Sequence, residues 1–180
     1  MEFSGYANLR NRIFRTFWVG HLISLIGTWT QLAAQGWLLA RLTENSAFAL
    51  GMLGAAAAAP FLFFVLLGGL LSDRANRHRI IVITQVCSLL QAAVLTALTV
   101  SGVIQPWHII GLAAVLGTIH AFDIPARQAF LIDLVGPTHL PNAIALNASG
   151  FNVARIGGPA IGGLLTATVG EGMCFLLNTL

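Results

Sequence analysis

The sequence predicts an all-helical membrane bundle, and three observations carry that prediction. Hydrophobic residues make up 57% of the chain and charged residues 8%, with a mean hydropathy of +0.83, whereas a soluble domain is roughly 45–50% apolar and 25% charged. The nine basic residues are all Arg and the six acids are spread widely. Long uncharged runs remain at 16–40, 45–72 and 80–122, each longer than the roughly 20 residues that cross a ~30 Å hydrocarbon core.

The first element follows a basic leader, "MEFSGYANLRNRIFRTFWVGH". Its apolar run of 25 residues, with no small-residue cleavage site ahead of a soluble domain, marks a first span at 16–40 rather than a cleaved signal peptide. A second span covers 47–71. The 43-residue run 80–122 is too long for one crossing. It divides into spans at 80–101 and 107–130, separated by "SGVIQP", where Gly102 and Pro106 supply the break. Gly136, Pro137 and Pro141 then favour a loop, so that a fifth span runs over 143–168. The final apolar stretch, 173–180, is too short to cross and reads as the start of a sixth helix. The whole of 1–180 is thus expected to be an incomplete six-helix unit. Cys87 and Cys174 both fall in apolar segments and suggest no disulfide framework.

Positively charged loops stay on the cytoplasmic side of a membrane. With the N-terminus inside, Arg10, Arg12, Arg15, Arg74, Arg77, Arg79 and Arg127 are all cytoplasmic and only Arg41 is outside. Trp18, Trp37 and Trp107 fall near span ends, at headgroup level. This topology accounts for the sequence pI of about 9.7 and removes the need for a nucleic-acid partner.

Two local patterns go further. "GGLLSDRANRHR", in the turn between the second and third spans, resembles the signature loop of the major facilitator superfamily through Gly69, Asp73, Arg74, Arg77 and Arg79. Asn76 stands where that family often has Gly, and it tolerates the same left-handed backbone. On the fifth span, "GGPAIGG" resembles the Gly-Pro-x-x-Gly-Gly motif of antiporters in this superfamily through Gly158, Pro159, Gly162 and Gly163, with Ala154 at its usual leading Gly. Gly158 and Gly162 allow close approach of a neighbouring backbone, and Pro159 bends the helix.

More widely, "LRNRIFRTFWVGHLISLIGTWTQ", "DIPARQAFLIDLVGPTHLPNAIALN" and "NVARIGGPAIGG" are similar to the enterobactin-exporter-like, or macrolide-efflux-like, branch of that superfamily. The resemblance implies the N-terminal half of a twelve-helix transporter, five helices and part of a sixth. The site would lie near the midplane against a C-terminal half.

Polar residues inside the spans are candidates for that site. His21, Ser24, Thr28, Gln31 and Gln35 follow spacings of three and four, which puts them on one helical face. Such a face either bridges helices by hydrogen bonds or lines a wet cavity. The first helix lines the cavity in the family, which selects Gln31 and Gln35 as substrate-cavity residues. Thr84, Gln85, Ser88 and Gln91 form a looser cluster assigned to packing.

Arg155 lies about 16 Å into the fifth helix, counted from Ile144, where a charge costs at least about 2.5 kcal/mol. It is expected to face the interior and find partners, and with Asn152, on the same side, it joins Gln31 and Gln35 as a candidate substrate-cavity residue. Asp123 and Arg127, at i and i+4 on the fourth span, suit an ion pair with a structural or gating role. The adjacent Arg opposes the raised carboxyl pKa that a proton carrier needs.

No enzyme is expected. Histidines 21, 78, 108, 120 and 139 lack metal-site spacing, no phosphate-binding loop follows a strand, and no nucleophile has a base partner. Neither a catalytic site, a cofactor nor a metal is therefore assigned. The expected function is ion-coupled export of a small amphipathic molecule, a drug or siderophore-like compound, by alternating access. The setting is a bacterial-type inner membrane, and the partners are the lipid bilayer, the substrate and a C-terminal half. The alternatives are an uptake symporter of the same superfamily, or a non-transporting truncated remnant or membrane scaffold.

Overall fold

The computed structural model describes residues 12–178, and among them it contains five helices and no strand. Arg10 and the rest of the leader, and the last two positions of the expected sixth helix, lie outside the described residues. The helices are α1 (Arg12–Leu42), α2 (Ala47–Arg74), α3 (Arg77–Val100), α4 (Pro106–Val169) and α5 (Glu171–Leu177).

Turn chemistry explains most of the boundaries. Glu44 and Asn45 take positive φ in the turn after α1, and Ser46 caps α2 by accepting from the Ala49 amide at 3.3 Å. Gly102, at φ 73°, ends the segment after α3, and Pro106 opens α4 at a position whose N–H needs no partner. Asn76 departs from expectation. Its φ of −68° is not left-handed; it is the N-cap of α3, and its side-chain oxygen accepts from the Arg79 amide at 3.1 Å. A capping oxygen is a role that glycine cannot fill.

The largest difference from the sequence reading is in α4. The fourth and fifth spans were expected to be separated by a loop between residues 130 and 143, but helix continues through most of that stretch. The 64 residues of α4 would reach about 96 Å if straight, three times a membrane core. They are broken only at Gly136, with φ 69° and ψ 172°. One glycine suffices because Pro137 restarts the helix at once: its ring presets helical φ, and its missing N–H falls in an unpaired first turn. The two parts are termed the proximal arm (106–135) and the distal arm (137–169).

Side-chain contacts give the direction of each element. α1 and α3 run together, since Ser24 meets Gln85 and Gln31 meets Gln91. The proximal arm runs against α3, with Gln91 on Leu112, Thr84 on Asp123 and Arg77 on Asp133. The distal arm returns parallel to α1: Gly150 lies on Trp18, Gly158 on Trp29 and Gly162 on Ala33. α5 turns back again, with Glu171 on Arg41 at 3.1 Å and Asn178 on Gln31 at 2.7 Å. The chain therefore alternates direction at each element, as a multi-pass bundle does. One end gathers Arg12, Arg15, the 73–79 loop and Gly136, and the opposite end carries Arg41 and Glu171.

Packing is apolar at both ends. Phe14, Leu131 and Ala143 close one end together with Ile80, Ile81 and Ala126, and Leu38, Leu39, Leu95, Ile109 and Phe175 close the other. α2 joins the proximal arm through small residues. A Cβ on Gly68 would collide with the Ala121 backbone, and one on Gly117 with that of Ala57. The large side chains of α2 point outward instead, Phe63 at 79% and Leu66 at 81% exposure, a surface that hydrocarbon accommodates. By length and composition α2, α3 and α4 can cross a membrane. α1, at 31 residues, has the length, but its polar face and Arg residues dilute its apolar character. Cys87 is exposed, and Cys174 is buried with its Sγ 3.6 Å from the Gly162 carbonyl.

Candidate functional site

Between the apolar ends lies a cleft of about 730 Å³. α1 contributes His21, Ser24, Thr28 and Trp29, four positions that helical spacing puts on one face. Gln85 and Ser88 come from α3, and His120, Asp123 and Arg127 from the proximal arm. The distal arm adds Asn147, Phe151 and Asn152, and Asn178 closes the list. Trp29 and Phe151 meet edge to face, with ring centroids 5.7 Å apart.

A bonded charge cluster forms one wall. Arg127 Nε lies 2.5 Å from Asp123 Oδ2, and the side chains are only 13% and 15% exposed. Thr84 donates its hydroxyl to Asp123 Oδ1 at 2.6 Å. Arg127 Nη2 donates to Gln85 Oε1 at 2.6 Å, and Gln85 Nε2 donates to Ser24 Oγ at 3.1 Å. One chain of hydrogen bonds thus links α1, α3 and the proximal arm. An ion pair this shielded gains little net stability, but losing one partner strands the other charge. The ring of His21 adds a buried Nδ1 with no partner among the described residues.

The expected cavity residues separate into two groups. Asn152 lines the cleft, and its Nδ2 donates to the Ala148 carbonyl at 2.9 Å. Gln31 and Gln35, chosen as cavity residues, are instead fully buried at 0% exposure and absent from the cleft wall. Gln31 sits in a chain of amides: Asn178 donates to its Oε1, and its Nε2 donates to Gln91 Oε1 at 3.0 Å. Both polar ends of the Gln35 amide are unpaired. Of the polar face of α1, His21, Ser24 and Thr28 line the cleft, whereas Gln31 and Gln35 are buried against neighbouring helices.

Arg155 also departs from expectation. It is exposed and is not among the residues that line the cleft, and no hydrogen bond or ion pair engages it among the described residues. The α3 cluster is mixed. Thr84 and Gln91 are buried in helix contacts, whereas Gln85 and Ser88 reach the cleft. His120 and Asn147 were not selected from sequence. The spacing 120, 123, 127 offered a signal for His120, whereas Asn147 had none short of the arm geometry.

The two motifs occupy distinct places. In the 69–79 loop, Asp73, Arg74 and Arg79 are exposed. Arg77 donates to the Ser72 and Ala129 carbonyls and pairs with Asp133 at 2.6 Å, tying the end of α2 to α4. Gly69 has open space around it. In the 157–163 motif, Gly158 and Gly162 press on α1, and Thr30 Oγ1 donates to the Gly158 carbonyl at 3.1 Å. Pro159 is exposed, and Gly163 has nothing within 4 Å. No group of three metal-ligating side chains occurs among the described residues.

Alternating long helices, three of them apolar enough to cross a membrane, around a cleft with one charged wall make a multi-pass membrane bundle. The chain belongs to the major facilitator superfamily, in the family described as transmembrane secretion effector, whose profile matches residues 3–180. It is 27% identical over 165 residues to the staphyloferrin A transporter of Staphylococcus aureus (strain NCTC 8325 / PS 47), covering 91% of this chain and 41% of the relative. To the uncharacterized MFS-type transporter YfiS of Bacillus subtilis (strain 168) it is 26% identical over 163 residues, covering 91% and 38%. The chain thus spans about two fifths of the length of these relatives. No solved structure matches it.

Proposed function

We propose that this chain is the N-terminal half of an ion-coupled secondary exporter that moves a small amphipathic molecule by alternating access. The observation that carries the reading is the cleft itself, in which a polar wall bearing Asp123 and Arg127 faces an aromatic one bearing Trp29 and Phe151. A C-terminal half, of the kind that the longer relatives have room for, closes the cleft from the open side. The membrane is a bacterial-type inner membrane. Among the described residues, Arg12, Arg15, Arg74, Arg77 and Arg79 on the α1-start side against Arg41 on the other support a cytoplasmic N-terminus.

Two features support the export mechanism. The Gly158/Gly162 contact with α1 resembles the antiporter motif, and it holds the distal arm and α1 as one rigid pair that rocks against the other half. The side chains of Asp73, Arg74 and Arg79 are exposed and have no partner among the described residues, which suits contacts that hold the cytoplasmic face shut from the other half. The likeness to the enterobactin- and macrolide-exporting branch, and to the staphyloferrin A transporter, supports a drug or siderophore-like substrate.

The test is accumulation. Cells producing the full-length protein should retain less of a panel of amphipathic drugs and siderophores than cells without it, and dissipating the proton gradient should abolish the difference. Equal accumulation across the panel would favour a remnant or scaffold, and higher accumulation would reverse the direction to uptake.

A further inference from the structure

The charge inventory of the spans leaves one cation over. Asp123 and Arg127 neutralise each other, and the other described acids, Glu44, Asp73, Asp133 and Glu171, lie at helix ends or turns. Arg155 is the remainder. It lies two residues past the middle of the distal arm, about 27 Å from Pro137 and about 21 Å from Val169 at 1.5 Å per residue. Neither end is within a side chain's length, so the guanidinium cannot snorkel to water along its own helix. It follows Asn152 by three residues and Phe151 by four, which continues the strip of the distal arm that lines the cleft by one more turn.

A guanidinium held at that depth demands an anion, and no described residue supplies one. The cleft wall that this strip leads into includes apolar and aromatic side chains, Leu25, Trp29, Leu32 and Phe151. The side chain of Asn152 commits its N–H to Ala148 and keeps its oxygen as an acceptor for a hydroxyl or an Arg N–H.

We propose, resting on the transport reading above, that Arg155 is the anion-recognition residue of the cleft and that the substrate class is amphipathic small molecules bearing a carboxylate. The carboxylate takes the planar fork of Arg155 in a bidentate pair, while the apolar body of the molecule packs on Trp29 and Phe151. Carriage of the substrate then supplies the missing counter-charge, so loaded and empty cavities differ by one unpaired cation.

The experiment uses the full-length protein in lipid vesicles and two dyes on the same ring system, carboxyfluorescein as the anion and a cationic rhodamine ester. Wild-type protein should move carboxyfluorescein in preference. Arg155→Gln should lower that rate about tenfold or more, the loss expected of one charge-assisted hydrogen bond, and leave the rhodamine rate within about twofold. Arg155→Lys, which keeps charge without the fork, should fall between. An unchanged anion-to-cation ratio in Arg155→Gln overturns the proposal. If both rates fall together with the melting temperature, Arg155 pairs instead with a carboxylate of the other half. Wild-type preference for the cation overturns the anion assignment alone, whereas movement of neither dye counts against the transport reading beneath it.

Discussion

Asp123 and Arg127 show how much a single residue can depend on its neighbour. Their pair is shielded on three elements and shares its remaining bonds with Thr84 and Gln85. Asp123→Ala leaves Arg127 shielded and uncompensated, and should lower stability by about 3 kcal/mol or more. Asp123→Ala combined with Arg127→Met removes both charges and should recover most of that loss. Thermal unfolding of the four proteins of this double-mutant cycle in detergent reads the coupling, which should exceed about 1 kcal/mol. Additive losses would mean that the two side chains act independently. The pair was legible in the sequence because i, i+4 spacing brings two side chains together whatever the fold. Gln31 and Gln35 show the opposite case. Periodicity places them on the right face, yet whether that face is sealed or open at their level depends on α3, α4 and α5.

Among the elements, α1 and the distal arm of α4 pack through one motif, and its glycines play unequal parts in that contact. A Cβ on Gly158 would run into Trp29, and one on Gly162 would come within 3.0 Å of the Thr30 carbonyl, whereas one on Gly163 meets nothing within 4 Å. Gly158→Val should therefore push the helices apart and cost about 2 kcal/mol, within the range for overpacking. Gly163→Ala should change stability by less than about 0.5 kcal/mol. Melting temperatures of the two variants decide the point, and equal effects would mean that the motif works through backbone flexibility instead. The break in α4 is a second element-scale device. Gly136→Ala places a side chain at φ 69° and should cost about 1–2 kcal/mol, with protease cleavage increasing near residue 136.

For the whole molecule, the alternation of direction puts the Arg-rich turn and the Asn45 turn on opposite faces. In intact cells, a membrane-impermeant thiol reagent should modify a cysteine placed at Asn45, in a background lacking Cys87 and Cys174, and spare one placed at Asn76. Labelling of both to the same extent would contradict the two-sided arrangement, and the reverse pattern would invert the orientation. Both sites are exposed in their turns, so the difference reads sidedness rather than burial.

The membrane class and the two motifs were legible in the sequence alone, since each rests on local properties: run length against bilayer thickness and short spacings. Tertiary structure decided what those properties do. It reduced an expected loop to Gly136, because proline restarts a helix as readily as it ends one. It buried Gln31 and Gln35, drew His120 and Asn147 to the cleft, and left Arg155 exposed with no partner among the described residues. Helical periodicity gives each residue an angle around its own axis, but what stands opposite that angle is a property of the neighbouring helices, and only packing supplies it.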